Sequence, residues 1–181
     1  MIRWLLVAAM VCVAGAASAA VTVLGNGIAR ACYEAAKFEV NPATGLKTCN
    51  DALAQEPLNS RDRAATYTNR GILRLRQNEI NRALADFDRS IGLEPELGQT
   101  YINRAAALVQ LDRYQEAVDA ASKALELTNE DVHAAYFNRA MAYEELGQVE
   151  NAYHDLQAAL AAKPDFEDAQ REIARYSVSK G

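Results

Sequence analysis

Apolar residues recur every three or four positions from Ala64 to Leu75, lapse at Gln77-Asn78, and resume from Ile80 to Leu93. That spacing keeps one side of a helix apolar twice in succession, so it predicts two amphipathic helices joined by a tight turn. Asn78, Asp112 and Gly147 share the turn column. Asn78 and Asp112 read as N-caps, with Gln115 three residues after Asp112 as in a capping box. Pro95 and Pro164 stop the second helices, because proline cannot continue one and disfavours helix in the residue before it.

The hairpin is a repeat. Tyr67-Thr68-Asn69-Arg70-Gly71 returns as Tyr101-Ile102-Asn103-Arg104-Ala105 and as Tyr136-Phe137-Asn138-Arg139-Ala140, at intervals of 34 and then 35 residues. Ala83, Ala117 and Ala152 recur in step, followed by Ser90, Ala124 and Ala159, then Pro95, Asn129 and Pro164. A fixed period of this size signals stacked supersecondary units. Gly71, Ala105 and Ala140 are expected to face Ala83, Ala117 and Ala152, since only small side chains let two helix backbones approach closely.

An aromatic at the fourth position, small residues at the eighth and twenty-seventh, Ala at the twentieth and Pro at the thirty-second resemble the tetratricopeptide repeat. The resemblance covers Ala64 to Phe166 in three units, 64–97, 98–131 and 133–166. It departs from the pattern at Arg74, Ala121 and Asn129, and carries one extra residue between Thr128 and Val132. It implies an all-α fold, a right-handed superhelix (α-solenoid) of antiparallel helix pairs. Cys49, Ala52 and Pro57 align with Phe87, Ser90 and Pro95, so residues 20–62 read as a degenerate N-terminal hairpin with its helices between Asn26 and Gln55. Asp165 to Tyr176 sets Phe166, Ala169, Ile173 and Tyr176 on one side, and residues 167–181 read as a capping helix and tail.

The resemblance further implies a concave groove, lined by the first helix of each pair, where peptides or helices of partner proteins lie. In this register its floor is Ala65, Thr68, Ile72 and Arg76; Gln99, Ile102, Ala106 and Gln110; and Ala134, Phe137, Met141 and Glu145. Asn69, Asn103 and Asn138 stand beside that floor, and an asparagine there can bond the main chain of an extended peptide through both donor and acceptor. The other reading of these columns is structural, with Arg70, Arg104 and Arg139 packing between hairpins and pairing with acids such as Asp86, Asp88 or Asp155. Tetratricopeptide domains of co-chaperones grip a C-terminal carboxylate with two Lys, two Asn and an Arg or Lys. Only Asn103 survives here, with Thr68, Ile72, Ala134 and Asn138 in the other places, so an apolar or amphipathic ligand is expected instead.

The first residues change the picture again. Arg3, the apolar run Trp4 to Ala16, and the small residues Ala17-Ser18-Ala19 read as a signal peptide over 1–19, cleaved after Ala19. The run is short of the roughly 20 residues of an ordinary membrane span, and the alternative reading is an uncleaved anchor. Export, to the periplasm, is therefore expected, with no stable membrane insertion after cleavage. Of the three cysteines, Cys12 leaves with the signal. Cys32 and Cys49 are expected to bridge in an oxidising compartment, stapling the first hairpin with about 3 kcal/mol; the alternative is two small buried thiols. Loss of Arg3 leaves 18 basic residues against 24 acidic ones, an unsuitable balance for nucleic acid or anionic lipid. His133 and His154, the only histidines, lie far from both cysteines and near no Ser or Cys nucleophile. No metal, cofactor or catalytic set is expected. The chain reads as a periplasmic adaptor for protein or peptide partners in cell-envelope assembly or remodelling. The alternative is a self-associating structural repeat module, and a homo-oligomer stays open.

Overall fold

Each helix pair foreseen in the column pattern is present in the computed structural model, which describes residues 3–6, 20–24, 27–38, 41–128 and 130–179. The proposed cleavage site at Ala17-Ser18-Ala19, together with Asn26 and Asn129, lies outside the described residues. Of the proposed signal only Arg3–Leu6 is described, as strand β1.

The first hairpin is α1 (Ile28–Lys37) and α2 (Pro42–Gln55). Pro42 suits the first turn, where its missing N–H costs nothing, and the Asn41 side chain accepts from the Ala43 amide at 3.0 Å. Cys32 and Cys49 form a disulfide that ties α1 to α2 across 4.8 Å between Cα atoms. Three further pairs follow: α3 (Ser60–Arg76) with α4 (Ile80–Leu93), α5 (Gly98–Val109) with α6 (Tyr114–Leu127), and α7 (Val132–Glu145) with α8 (Val149–Ala162). Each first helix touches the next first helix, and each second helix touches the first helix after it, which is the stacking of an α-solenoid.

Three local expectations are corrected. Asn78 and Asp112 are not N-caps: both have left-handed backbones, φ 59° and 57°, as does Gly147 at φ 72°. Each closes a Schellman turn. Asn78 N–H donates to Leu75 C=O and Glu79 N–H to Arg74 C=O, with the same pair of bonds at Asp112-Arg113 and Gly147-Gln148. The column admits Asn, Asp and Gly because these tolerate positive φ, and Gln115 reaches Asp119 rather than a cap. Secondly, α3 starts at Ser60, earlier than the repeat pattern implies, because Asn59 accepts the Asp62 amide at 2.8 Å. Thirdly, the capping helix α9 is short (Glu167–Ile173), and Tyr176 belongs to strand β2 (Tyr176–Ser179), which pairs antiparallel with β1. Phe166 and Ala169 are buried, and Ile173 and Tyr176 pack against the same core.

The expected opposition of Gly71 and Ala83 also needs refining. A Cβ on Gly71 would lie 2.4 Å from the Phe87 ring, so Gly71 is small to admit that phenyl group. Phe87 is fully buried, at the centre of the main apolar cluster with Ile72, Leu73, Ala83 and Ala105.

Candidate functional site: the face of the first helices

The N-terminus of α3 builds the first part of the site. Asn59 and Asp62 satisfy each other, Asn59 Nδ2 donating to Asp62 Oδ2 at 2.9 Å, which leaves Asp62 Oδ1 to accept the Leu24 amide at 3.2 Å. Two turns on, Asn69 accepts from Val21 N–H at 2.9 Å and donates to Val21 C=O at 2.8 Å. That is the two-sided main-chain contact expected of this column, and its partner is the chain's own segment 20–24. Val21 and Val23 are buried among Ala29, Tyr33, Ala52, Ala64, Ala65 and Leu97, while Thr22 and Leu24 face solvent. Arg30 donates to Val23 C=O at 3.4 Å. Hydrogen bonds from Thr22 and then Lys37 hold the Tyr33 hydroxyl below its ordinary pKa. Sequence reading missed Val21, Val23, Tyr33 and Asp62; the alternation Val21-Thr22-Val23-Leu24 was the available signal for an extended segment.

The remaining columns divide. Thr68 is fully buried, its hydroxyl 2.9 Å from Ser90 Oγ, 2.8 Å from Thr100 Oγ1 and 3.3 Å from Ala64 C=O. It therefore closes the seam between two hairpins. Ile102 is likewise buried, with Ala124, Ala134 and Ala135. Asn138 donates to the Ile102 carbonyl at 3.1 Å, joining α7 to α5, and Asn103 donates to Gln99 C=O at 2.9 Å. Ile72, Ala106, Phe137 and Met141 are buried. The Phe137 ring lies edge-on to Phe166 at 5.2 Å, and Phe166 edge-on to His133 at 5.0 Å. Arg76 reaches the Ala36 carbonyl of α1 at 2.6 Å, Gln99 reaches Glu130 at 2.8 Å, and Gln110 and Glu145 are exposed.

The arginine column is structural. Arg70 pairs with Asp86 at 2.7 Å and Arg139 with Asp155 at 2.7 Å, while Arg104 turns to Asp88 at 2.9 Å. The middle repeat has Ala120 in the column of Asp86 and Asp155, so its arginine borrows an acid from the preceding repeat. His133 is held below its ordinary pKa by burial and then by Lys163. His154 faces Glu150 in solvent, with the Tyr153 ring edge-on beside it at 6.1 Å. Among the described residues, no group of three or more His, Cys, Asp or Glu is placed to hold a metal, and no helix is long and apolar enough to cross a membrane.

Antiparallel helix pairs stacked so that the first helices present one continuous face define a helical-hairpin repeat protein. Two of these hairpins are tetratricopeptide repeats: residues 98–131 and 133–166 match that family. The chain is 32% identical over 120 residues to the protein STIP1 homolog of Dictyostelium discoideum, a match covering 65% of this chain and 21% of that protein. The chain thus spans about a fifth of that curated relative. Its fold is similar to the tetratricopeptide domain of Arabidopsis OM64, with a TM-score of 0.62 and 26% identity over 65% of this chain and 96% of that one. It is also similar to the second such domain of human RPAP3, solved with the HSP70 peptide SGPTIEEVD, with a TM-score of 0.60 and 23% identity over 65% and 97% of the two chains.

Proposed function

We propose that this chain is a peptide-binding scaffold of the periplasm, which brings cell-envelope proteins together during assembly or remodelling. The observation that carries the binding half is the Asn69 amide engaging both the N–H and the C=O of Val21: the face of the first helices accommodates extended main chain. The RPAP3 domain, of similar fold, is solved with a peptide, and this supports the reading. For export the support is the charged, apolar and small-residue order of residues 1–19 and the Cys32–Cys49 bridge, which persists where thiols are oxidised. A single peptide segment in such a groove binds in the micromolar range, about −8 kcal/mol, and tighter partners need several contacts.

The test is affinity capture from the envelope fraction of the native host. One bait is the chain from Ala20; the other carries Gln110→Arg and Glu145→Arg, exposed positions on the groove edge whose change leaves the core intact. Partners recovered by the first bait and lost by the second support the groove. Partners retained by both place the site elsewhere, and no partner at all, with a chain that sediments as a dimer, favours the self-associating module. N-terminal analysis of the endogenous protein checks export: a chain beginning at Ala20 in the periplasmic fraction is expected, and a cytoplasmic chain beginning at Met1 removes the envelope role.

A further inference from the structure

We propose that Ala20–Leu24 is a built-in occupant of the groove, and that the groove's external partner is an extended, uncharged segment with small branched apolar side chains at two alternate positions, which must displace it. The inference rests on the peptide-binding reading and names its ligand class and its regulation.

The contacts on this segment are those of a ligand. Asn69, fully buried, addresses only the main chain of Val21, so any extended residue other than proline satisfies it. Three residues on, Asp62 takes the Leu24 amide, and Arg30 reaches the carbonyl between them. All of these anchors are side chains; among the described residues no helix or sheet bond holds the segment. Selectivity falls on the alternate positions. Val21 and Val23 enter apolar spaces walled by the small side chains of Ala29, Ala52, Ala64 and Ala65 together with Tyr33 and Leu97. Thr22 and Leu24 point outward, Thr22 bonding the Tyr33 hydroxyl and Leu24 being 71% exposed, so neither side chain enters an apolar space.

The segment is also able to leave. Two buried valines and a few hydrogen bonds give a gain of the same order as the entropy lost in ordering five residues. Local opening is then accessible well below global unfolding. The link to α1 is Gly25-Asn26-Gly27, a tether short enough to give the segment an effective concentration in the millimolar range. An external ligand sees only the open fraction, and its apparent affinity falls in proportion.

The probe is the acetylated peptide of residues 20–26 with fluorescein on an added C-terminal lysine, titrated by anisotropy against the full chain. The Val21→Asp/Val23→Asp variant, whose own segment cannot enter the apolar spaces, should bind it at least about tenfold more tightly than the unaltered chain. Adding Asn69→Ala should abolish binding. Equal binding by the unaltered chain and the double variant, or no binding by a double variant that melts cooperatively, overturns the proposal. If the double variant does not fold, amide exchange on the unaltered chain decides. Val21 should exchange at least about 100-fold faster than Leu73, through local opening; equal protection makes the segment ordinary core and sinks the idea. Probe binding with no partner recovered from the envelope would defeat the scaffold reading alone. Recovered groove-dependent partners with no probe binding would defeat this inference alone.

Discussion

Asp86 sits fully buried beneath three guanidinium groups, those of Arg74 at 2.6 Å, Arg70 at 2.7 Å and Arg89 at 3.2 Å. Removing it strands Arg70 and Arg74, both largely buried, so Asp86→Ala should cost about 3 kcal/mol in urea unfolding. Asp88→Ala, which removes a half-exposed partner of Arg104, should cost less than about 1 kcal/mol. Equal losses would show that the buried cluster is not special. At Gly71 the added methyl of Gly71→Ala meets the Phe87 ring, and a destabilisation of about 1–3 kcal/mol is expected from overpacking. Combining it with Phe87→Leu should give less than the sum of the two single losses, because both act on one space. His133 titrates below its ordinary 6.5, held down by burial and Lys163. The unfolded chain therefore takes up that proton first as pH falls, so the stability His133 contributes is complete above 6.5 and is lost as pH drops below it. Melting temperatures of the unaltered chain should fall on acidification below 6.5, and His133→Gln should flatten that slope; an unchanged slope would assign it to other groups.

Between helices, the turns carry the same lesson in backbone form. Gly147 occupies a left-handed position that Asn78 and Asp112 fill elsewhere, and Gly147→Ala should lower stability by about 1 kcal/mol while Asn78→Gly leaves it equal or higher. Thermal unfolding of the two variants checks the sign. The column Asn, Asp, Gly was visible in the sequence, yet Asn and Asp favour N-caps and left-handed turns alike, and only the glycine among them pointed to φ. Hairpin count, stacking order and the arginine–aspartate pairs were legible because each copy of a column repeats the same constraint. Apart from the Cys32–Cys49 bridge, what occurs once was less so. The start of α3 at Ser60 depends on the single Asn59–Asp62 pair, and α9, which ends at Ile173, has no counterpart in the repeat. The three asparagines look identical in sequence but serve different partners: Asn69 holds Val21, Asn138 holds Ile102, and Asn103 bonds back to Gln99. Long-range partners of that kind are not encoded in the period. Nor did the pattern tell that Thr68 and Ile102 turn into the seams, since a helix in a stack has apolar demands on two sides.

Across the whole molecule, each hairpin leans mainly on its neighbours, so stability is a sum of local terms and a change at one end need not reach the other. The disulfide lies in the first hairpin, which also walls the spaces taken by Val21 and Val23. Closing a loop of this size contributes about 3 kcal/mol through the unfolded chain, or roughly 150-fold in an opening equilibrium. Reduction should therefore loosen α1, α2 and residues 20–24 together, while α7 and α8, bound to α6 and α9, keep their protection. Amide exchange on the oxidised and reduced chain reads this directly. Faster exchange confined to the N-terminal third is expected; uniform acceleration along the array would mean that the repeats unfold as one unit and that the staple steadies all of them. In the first case the redox state of Cys32–Cys49 also sets how firmly the groove holds its own segment. Reduction would then weaken the Asn69 contact by loosening Ala29, Tyr33 and Ala52 around Val21 and Val23, with Asn69 itself untouched.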